Sequence, residues 1–187
     1  MLFSSCAAAA SLHSALNAFE KRNYPAALED FRQLAAQGDP AAEYHLGRMY
    51  SEGDGVMQNY RIAVEWWSKA AEQGDPRAQN ALGLLYDRGQ GVPQDEKQAA
   101  AWFLRAAMHG NSAAQVNIAL AYQLGRGEVP DPEEAYAWAS VAAERGEPVA
   151  QSIIDAVGAG LAPAELTHAQ RLAAQYRKQY VAANQEE

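Results

Sequence analysis

A repeat of 36 residues runs through this chain and limits what it can fold into. Glycines stand at this spacing at Gly38, Gly74, Gly110 and Gly146. Three other series keep the same step: Leu46, Leu82, Ile118 and Ile154; Ala63, Ala99 and Ala135; and Trp66, Trp102 and Trp138. A spacing that several residue types hold along most of a chain indicates repeated structural units, each packed on its neighbours.

The boundaries of each unit carry helix signals. Gly74 is typical of the residue after a helix end, where a left-handed backbone conformation is common. Asp75 is then a good N-cap for the next helix, and Pro76 suits its first position, where no hydrogen-bond donor is lost. The same Gly-Asp-Pro triplet occurs 36 residues earlier. The sequence therefore predicts a helix that begins near each triplet.

Apolar residues at helical spacing predict two helices in each unit. In the central unit, Ala78, Leu82 and Tyr86 share one face of the first helix. A second helix is expected to begin at Asp95, with an answering stripe of Ala99, Phe103 and Ala106. Gly83 has no side chain, so we expect the second helix to approach closely there.

The repeated pattern resembles the Sel1-like repeat, a longer-looped relative of the tetratricopeptide repeat. Two copies carry it in full: Ala42, Leu46, Gly47, Tyr50, Gly53, Gly55 and Val56, then Ala78, Leu82, Gly83, Tyr86, Gly89, Gly91 and Val92. The third copy keeps Ala114, Tyr122, Gly125 and Gly127, with Ile118, Ala119 and an extra Glu128 before Val129.

The periodicity and the resemblance together predict an all-α fold, a right-handed superhelical solenoid of stacked antiparallel helix pairs with about ten helices and no sheet. One solenoid domain is expected to cover residues 1–187. Within it, residues 11–37 form a first, tetratricopeptide-like pair, 38–147 form three Sel1-like repeats, and 148–187 form a degenerate repeat and a capping helix. That last helix, with Leu166, Leu172, Ala173, Tyr176 and Tyr180, is expected to cover the open end of the stack.

The first ten residues allow two interpretations. Ala8-Ala9-Ala10 before Ser11 looks like a small-residue cleavage site, so residues 1–10 could be the end of a signal peptide and the protein periplasmic or secreted. Alternatively, these alanines open the first helix and the protein is cytoplasmic. Cys6 is the single cysteine, so no intrachain disulfide can form, and cysteine content does not distinguish an oxidising from a reducing compartment.

The sequence offers no pattern typical of an active site, a metal site or a cofactor site. Its four histidines lie in different units, and none has a second ligand at metal spacing. The loop glycines follow helices and lack the G-K-[ST] of a phosphate loop, so we interpret them as helix C-caps. The recurring tryptophans are interpreted as packing residues. A net charge of −8 argues against nucleic acid as a partner, and no apolar run is long enough to span a membrane.

A binding surface is therefore the expected functional feature. In helix pairs of this type the first helices line the concave face, and three positions on each point away from the partner helix. These positions form three rows: Tyr44, Asn80 and Val116; Arg48, Leu84 and Leu120; and Ser51, Asp87 and Gln123. Several of these residues are unusually apolar for free surface. They either bind a partner or pack against the next repeat.

Two classes of function follow from the resemblance. It implies a non-catalytic adaptor or scaffold that binds a protein or peptide on its concave face, in a bacterial envelope or signalling pathway. The alternative is an enzyme that binds or hydrolyses β-lactams, as suggested for cysteine-rich relatives. Those relatives hold each repeat with a disulfide, whereas this chain has no cysteine within its repeats. The first interpretation is therefore preferred.

Overall fold

The computed structural model describes residues 11–181, which form ten α-helices and a short π-helical turn. The first pair comprises α1 (Leu12–Glu20) and α2 (Tyr24–Ala35). Three longer pairs are α3 (Pro40–Glu52) with α4 (Tyr60–Glu72), α5 (Pro76–Arg88) with α6 (Glu96–Met108), and α7 (Ser112–Leu124) with α8 (Pro132–Glu144). The chain then forms α9 (Ala150–Gly158), α10 (Pro163–Tyr176) and the π-turn Arg177–Val181. The possible signal remnant at residues 1–10 lies outside this range.

The predicted stack of helix pairs is confirmed. From α1 to α9, each helix packs against the next one along the chain, and residues 11–181 contain no strand. Buried side chains form three clusters along the stack, centred on Leu46, Leu82 and Ile118. These three residues occupy the same position of successive repeats, so the core is itself repeated along the solenoid.

The caps follow the sequence signals closely. Asp39 and Asp75 accept hydrogen bonds from the first amides of α3 and α5, as predicted for N-caps. Gly53, Gly89 and Gly125 end the first helices of the three repeats with φ values of 81°, 65° and 69°, in the left-handed region that glycine adopts freely. The interpretation of these glycines as C-caps is therefore confirmed.

The second glycine of each loop has a role that the sequence did not reveal. A Cβ atom on Gly91 would lie 2.6 Å from the backbone of Tyr60, and one on Gly127 would overlap the carbonyl of Glu96. Tyr60 and Glu96 begin the second helix of the preceding repeat. Each of these loops thus packs against the start of the second helix of the preceding repeat. Glycine is required there because the two backbones are in contact.

The three loops have equal length, so Glu128 is not an insertion. Each spans seven residues, at 53–59, 89–95 and 125–131. Glu128 occupies the position of Val56 and Val92, which pack against the core clusters. Val129 instead takes the position of Met57, and both are strongly exposed. Loop length is therefore held constant although its apolar anchor is replaced in the third repeat.

Close approach within each helix pair depends on matched side-chain sizes. A Cβ atom on Gly83 would lie 2.5 Å from Cδ1 and Cε1 of Phe103, as predicted for a tight crossing. Gly47 is similarly closed off by the ring of Trp67. At the equivalent positions of the third repeat, Ala119 and Ala139 are both fully buried. In the first two repeats an aromatic ring faces a glycine. In the third repeat, which has Ala139 in place of the ring, the glycine is replaced by alanine.

Buried amides join the second and third repeats to the repeat before them. The Nε2 atom of Gln79 donates to the carbonyl of Ala71 at 3.1 Å, and Gln115, 36 residues later, donates to Ala107 at 3.2 Å. Glu43 takes this position in the first repeat and accepts a hydrogen bond from Gln73 at 2.7 Å. Burial raises the pKa of the Glu43 carboxyl group. The same position therefore links the second and third repeats to the repeat before them, whereas in the first repeat it links the two helices of one pair.

The last helix packs on the third repeat, with two of the residues predicted to cover the stack, Tyr176 and Tyr180. The main contacts of α10 are with α8 rather than with α9. Tyr176 and Tyr180 stack on Trp138, with ring centroids 4.6 Å and 5.7 Å away, and leave that indole only 2% exposed. The equivalent Trp66 and Trp102 are instead flanked by cations of their own helices. The C-terminal helix therefore covers the third repeat, and α9 forms the end of the stack.

The pairing of Gly83 with Phe103 predicts non-additive mutations. We expect Gly83→Ala to cost roughly 1–3 kcal/mol of unfolding free energy, because the added methyl group overlaps the ring. Phe103→Ala should cost roughly 3–5 kcal/mol through lost burial. The double variant, which reproduces the Ala119–Ala139 pair, should lose clearly less than the sum, since the overlap is gone. Urea denaturation of the four proteins measures this coupling, and strictly additive losses would contradict it.

Candidate functional site

A cleft lies at each of the four junctions between successive helix pairs. The first cleft is lined by Phe19, Tyr24, Arg48 and Glu52, among others, and the second by Ser51, Tyr60, Leu84 and Arg88. The third is lined by Leu84, Asp87, Arg88, Glu96, Leu120 and Arg126, and the fourth by Gln123, Pro132, Ala156 and Val157. We call these the junction clefts.

The junction clefts are built from equivalent positions. Ser51, Asp87 and Gln123 line the second, third and fourth clefts and are 36 residues apart. The same step relates Tyr60, Glu96 and Pro132, which stand at or next to the start of the preceding second helix. One side of each cleft is thus a first helix, and the other is the start of the second helix before it. The repeat that sets the fold also sets the position of the clefts.

Two of the three predicted rows line these clefts. They contribute Arg48 to the first cleft, Ser51 and Leu84 to the second, Leu84, Asp87 and Leu120 to the third, and Gln123 to the fourth. Leu84 and Leu120 are half-buried and also pack against the core cluster around Ile118. Each leucine therefore packs between repeats and also lines a cleft, and a binding role for the two stays a prediction.

The row of Tyr44, Asn80 and Val116 is occupied by internal contacts. Val116 is only 8% exposed and belongs to the core, which agrees with the packing alternative for this residue. The Arg77 guanidinium lies 4.4 Å from the ring centre of Tyr44, which also stacks near Trp67. Asn80 accepts a hydrogen bond from Asn117 of the next repeat at 2.9 Å. This row joins neighbouring repeats instead of facing a groove.

Arg48 differs from Leu84 and Leu120 because its guanidinium group makes two contacts within the protein. Its Nε atom lies 3.1 Å from Oε1 of Glu52, and its guanidinium carbon is 5.0 Å from the ring centre of Phe19. The ion pair is well exposed and contributes little to stability. Its effect is to place a cation over an aromatic ring at the first cleft, whereas Leu84 and Leu120 make the next clefts more apolar.

Charged residues at the cleft rims escaped the sequence analysis. Arg88 lines both the second and the third cleft, and Glu96 and Arg126 line the third. The signal was present, because Arg88 lies 36 residues after Glu52, and Arg126 lies 36 residues after Gln90 of the second cleft. These positions lie at helix ends and in loops, whereas the predicted rows came from the exposed face within the first helices.

The described residues offer little else that suggests chemistry. No group of three or more histidine, cysteine, aspartate or glutamate residues within 11–181 is arranged to hold a metal ion. In the same range, no helix is both long enough and apolar enough to cross a bilayer. The junction clefts are thus the main candidate site of the described chain.

Comparison with known proteins identifies the repeat. The family model of the Sel1 repeat matches three successive segments, residues 40–75, 76–111 and 112–147. The chain belongs to the Sel1 repeat family. Proteins of this family generally act as scaffolds for protein interaction. No curated protein matches the chain in sequence.

Solved structures of Sel1 repeat proteins are similar to the chain. A Sel1 repeat protein from Oxalobacter formigenes has 32% identity over 77% of the chain, with a TM-score of 0.74. The protein c5321, a protective antigen of uropathogenic Escherichia coli with an SLR fold, has 29% identity over 86% of the chain and a TM-score of 0.65. The chain spans 59% and 42% of the lengths of these two proteins. Both neighbours are bacterial.

Next to Tyr44, the buried His45 is expected to make stability depend on pH. Its ring stacks on Phe31 with centroids 4.9 Å apart, is only 9% exposed, and its Nδ1 atom has no hydrogen-bond partner. Burial, followed by the nearby Arg77 and Arg48, lowers the pKa of His45 to about 4. The imidazole is therefore neutral in the folded protein at neutral pH.

Because the unfolded chain protonates His45 near pH 6.5 and the folded chain only near pH 4, folding should weaken as pH falls between these values. The expected loss is on the order of 3 kcal/mol. His45→Asn, the residue type found at Asn117 in the third repeat, should remove this part of the pH dependence. Denaturant unfolding at several pH values measures it in both proteins. Equal pH dependence of the two would contradict the assignment.

Proposed function

We propose that the chain is a non-catalytic adaptor that binds an extended segment of a protein partner along its junction clefts. The observation that carries the proposal is the partly exposed pair Leu84 and Leu120, at the same position of successive repeats and each lining a cleft. Apolar residues in shallow clefts supply affinity, and polar groups around them fix the register of a bound segment.

Continuity between clefts favours a chain-like ligand over a small molecule. Leu84 and Arg88 belong to both the second and the third cleft, so a group in one cleft lies beside a group in the other. These two clefts are small, about 190 and 200 Å³, below the size of typical small-molecule sites. A peptide that places successive side chains in successive clefts would use several weak contacts at once.

Substitution of the cleft leucines tests the proposal. A binding peptide is first selected from a random displayed library on the immobilised protein, and its affinity is measured by calorimetry. We expect Leu84→Ala with Leu120→Ala to weaken binding of this peptide at least about tenfold, because two apolar contacts are lost. Arg88→Glu should weaken it as well, since the reversed charge faces two clefts.

Matched controls separate binding from stability. Leu104→Ala removes another half-buried leucine that packs against the same core cluster but does not line a junction cleft. Arg171→Glu reverses an exposed charge on α10. Both should bind the peptide like the parent protein. If the controls lose binding as much as the cleft variants do, the clefts are not the binding surface.

The adaptor proposal also predicts no turnover of β-lactams. Incubation with a chromogenic cephalosporin should give no hydrolysis above the buffer rate and no covalently labelled protein by mass spectrometry. Turnover that survives repurification would support the enzymatic alternative instead.

A further inference from the structure

The fourth junction cleft differs from the other three in size. It encloses about 630 Å³, against about 460, 190 and 200 Å³ for the first, second and third. The cause is visible in the sequence, because Ala156 stands at the position of Leu84 and Leu120, and Gly160 stands at the position that Arg88 has in the second cleft. Small residues near the end of α9 and in the turn after it leave space that a larger side chain fills elsewhere.

Part of the wall of this cleft is apolar. Pro130 and Pro132 lie on the loop side, and Val157 and Leu161 lie on the side of α9 and the following turn. Leu124 at the end of α7 and Val129 within the α7–α8 loop are 55% and 81% exposed. The cleft and its surroundings thus offer apolar surface at a size typical of ligand sites.

Carboxylates surround these walls. Asp131, Glu133 and Glu165 line the cleft, and none of the described residues that line it is lysine or arginine. Each carboxylate has one oxygen engaged within the protein: Asp131 caps α8, Glu165 accepts from the Ala162 amide at 2.7 Å, and Glu133 pairs with His168. A carboxylate has about four acceptor positions, so each keeps capacity for a further donor.

Neighbouring acids strengthen the negative field. Burial raises the pKa of Tyr122 to about 12, with further contributions from Glu134, Glu128 and Asp131. His168 is the basic side chain paired with Glu133, and it faces that carboxylate from α10. The local charge has the same sign as the net charge of −8, so a cationic group is attracted both by the cleft and by the protein as a whole.

We propose that the fourth cleft binds a lysine or arginine side chain of the peptide partner, with its aliphatic stem against Pro130, Val157 and Leu161 and its cation beside Glu133 and Glu165. Long basic side chains combine an apolar stem with a charged end, which is the combination that this cleft complements. The inference rests on the proposed function and names one feature of its ligand. It predicts a basic residue at one end of the bound segment.

A short peptide tests the cleft alone. The probe is acetyl-Leu-Lys-Leu-amide, titrated into the isotope-labelled protein at low salt and followed by heteronuclear NMR. We expect the largest shifts at the amides of Gln123, Val157 and Leu161. The analogue with norleucine in place of lysine should bind roughly tenfold more weakly, because it lacks the charge-assisted hydrogen bonds. Added salt should weaken the lysine peptide more than the analogue.

Neutral variants test the carboxylates without removing their structural hydrogen bonds. Glu133→Gln with Glu165→Gln keeps an acceptor for His168 and for the Ala162 amide, and should bind the lysine peptide roughly tenfold more weakly. Glu65→Gln with Glu72→Gln makes the same change in net charge on the exposed side of α4 and should leave binding unchanged.

Three results would overturn the inference: equal weakening by both pairs of substitutions, equal affinity for lysine and norleucine, or tighter binding of spermidine than of the peptide. If selected peptides still require Leu84 and Leu120 while the probe ignores Glu133 and Glu165, this inference fails and the proposed function stands. If neither set of residues affects binding, both fail.

Discussion

The contact between the two helices of each pair determines the rest of the structure. At Gly47 and Gly83 the second helix places an aromatic ring where a side chain would otherwise stand. This contact lets the two helices approach closely in the first two repeats, and in the third the fully buried Ala119 and Ala139 occupy the equivalent positions. Equal pairs, joined by loops of equal length, can stack at a constant step. The junction clefts follow from that step.

The repeats share one architecture, but the residue types that line the clefts differ at a few positions. The residue that lines each cleft from the first helix changes from Arg48 through Leu84 and Leu120 to Ala156. Facing it, Tyr60 is replaced by Glu96 and then by Pro132. The clefts therefore differ in volume and charge while their geometry is shared. A surface of this kind distinguishes ligands by the order of side chains along a segment, since each cleft prefers a different one.

Much of the fold was predictable because periodicity reports stacking directly. Helix caps at Asp75 and Gly89, the tight crossing at Gly83 and the number of helices all followed from residues whose chemistry allows few alternatives. The position of α10 was not predictable in this way, because its sequence repeats nothing earlier in the chain. Its stacking on Trp138 depends on Tyr176 and Tyr180, whose partner no local pattern indicates.

The candidate site was predicted in part, for a related reason. A helix in a stack has neighbours on several sides, so the face away from its own partner is not all free surface. Val116 is buried in the core, whereas Leu120, one turn later, lines a cleft. Glu96 and Arg126 were missed because they lie outside the first helices. The glycine contacts between repeats, such as Gly91 with Tyr60, likewise depend on three-dimensional packing.

The central claim is that binding follows the junction clefts, and an NMR titration with a library-selected peptide tests it most directly. The account predicts that backbone shifts concentrate at the amides of Ser51, Asp87 and Gln123, which line successive clefts at the repeat spacing. Lys69 and Arg105, on the exposed side of the second helices, should remain unchanged. Shifts centred on Lys69 and Arg105, with the cleft residues silent, would contradict it.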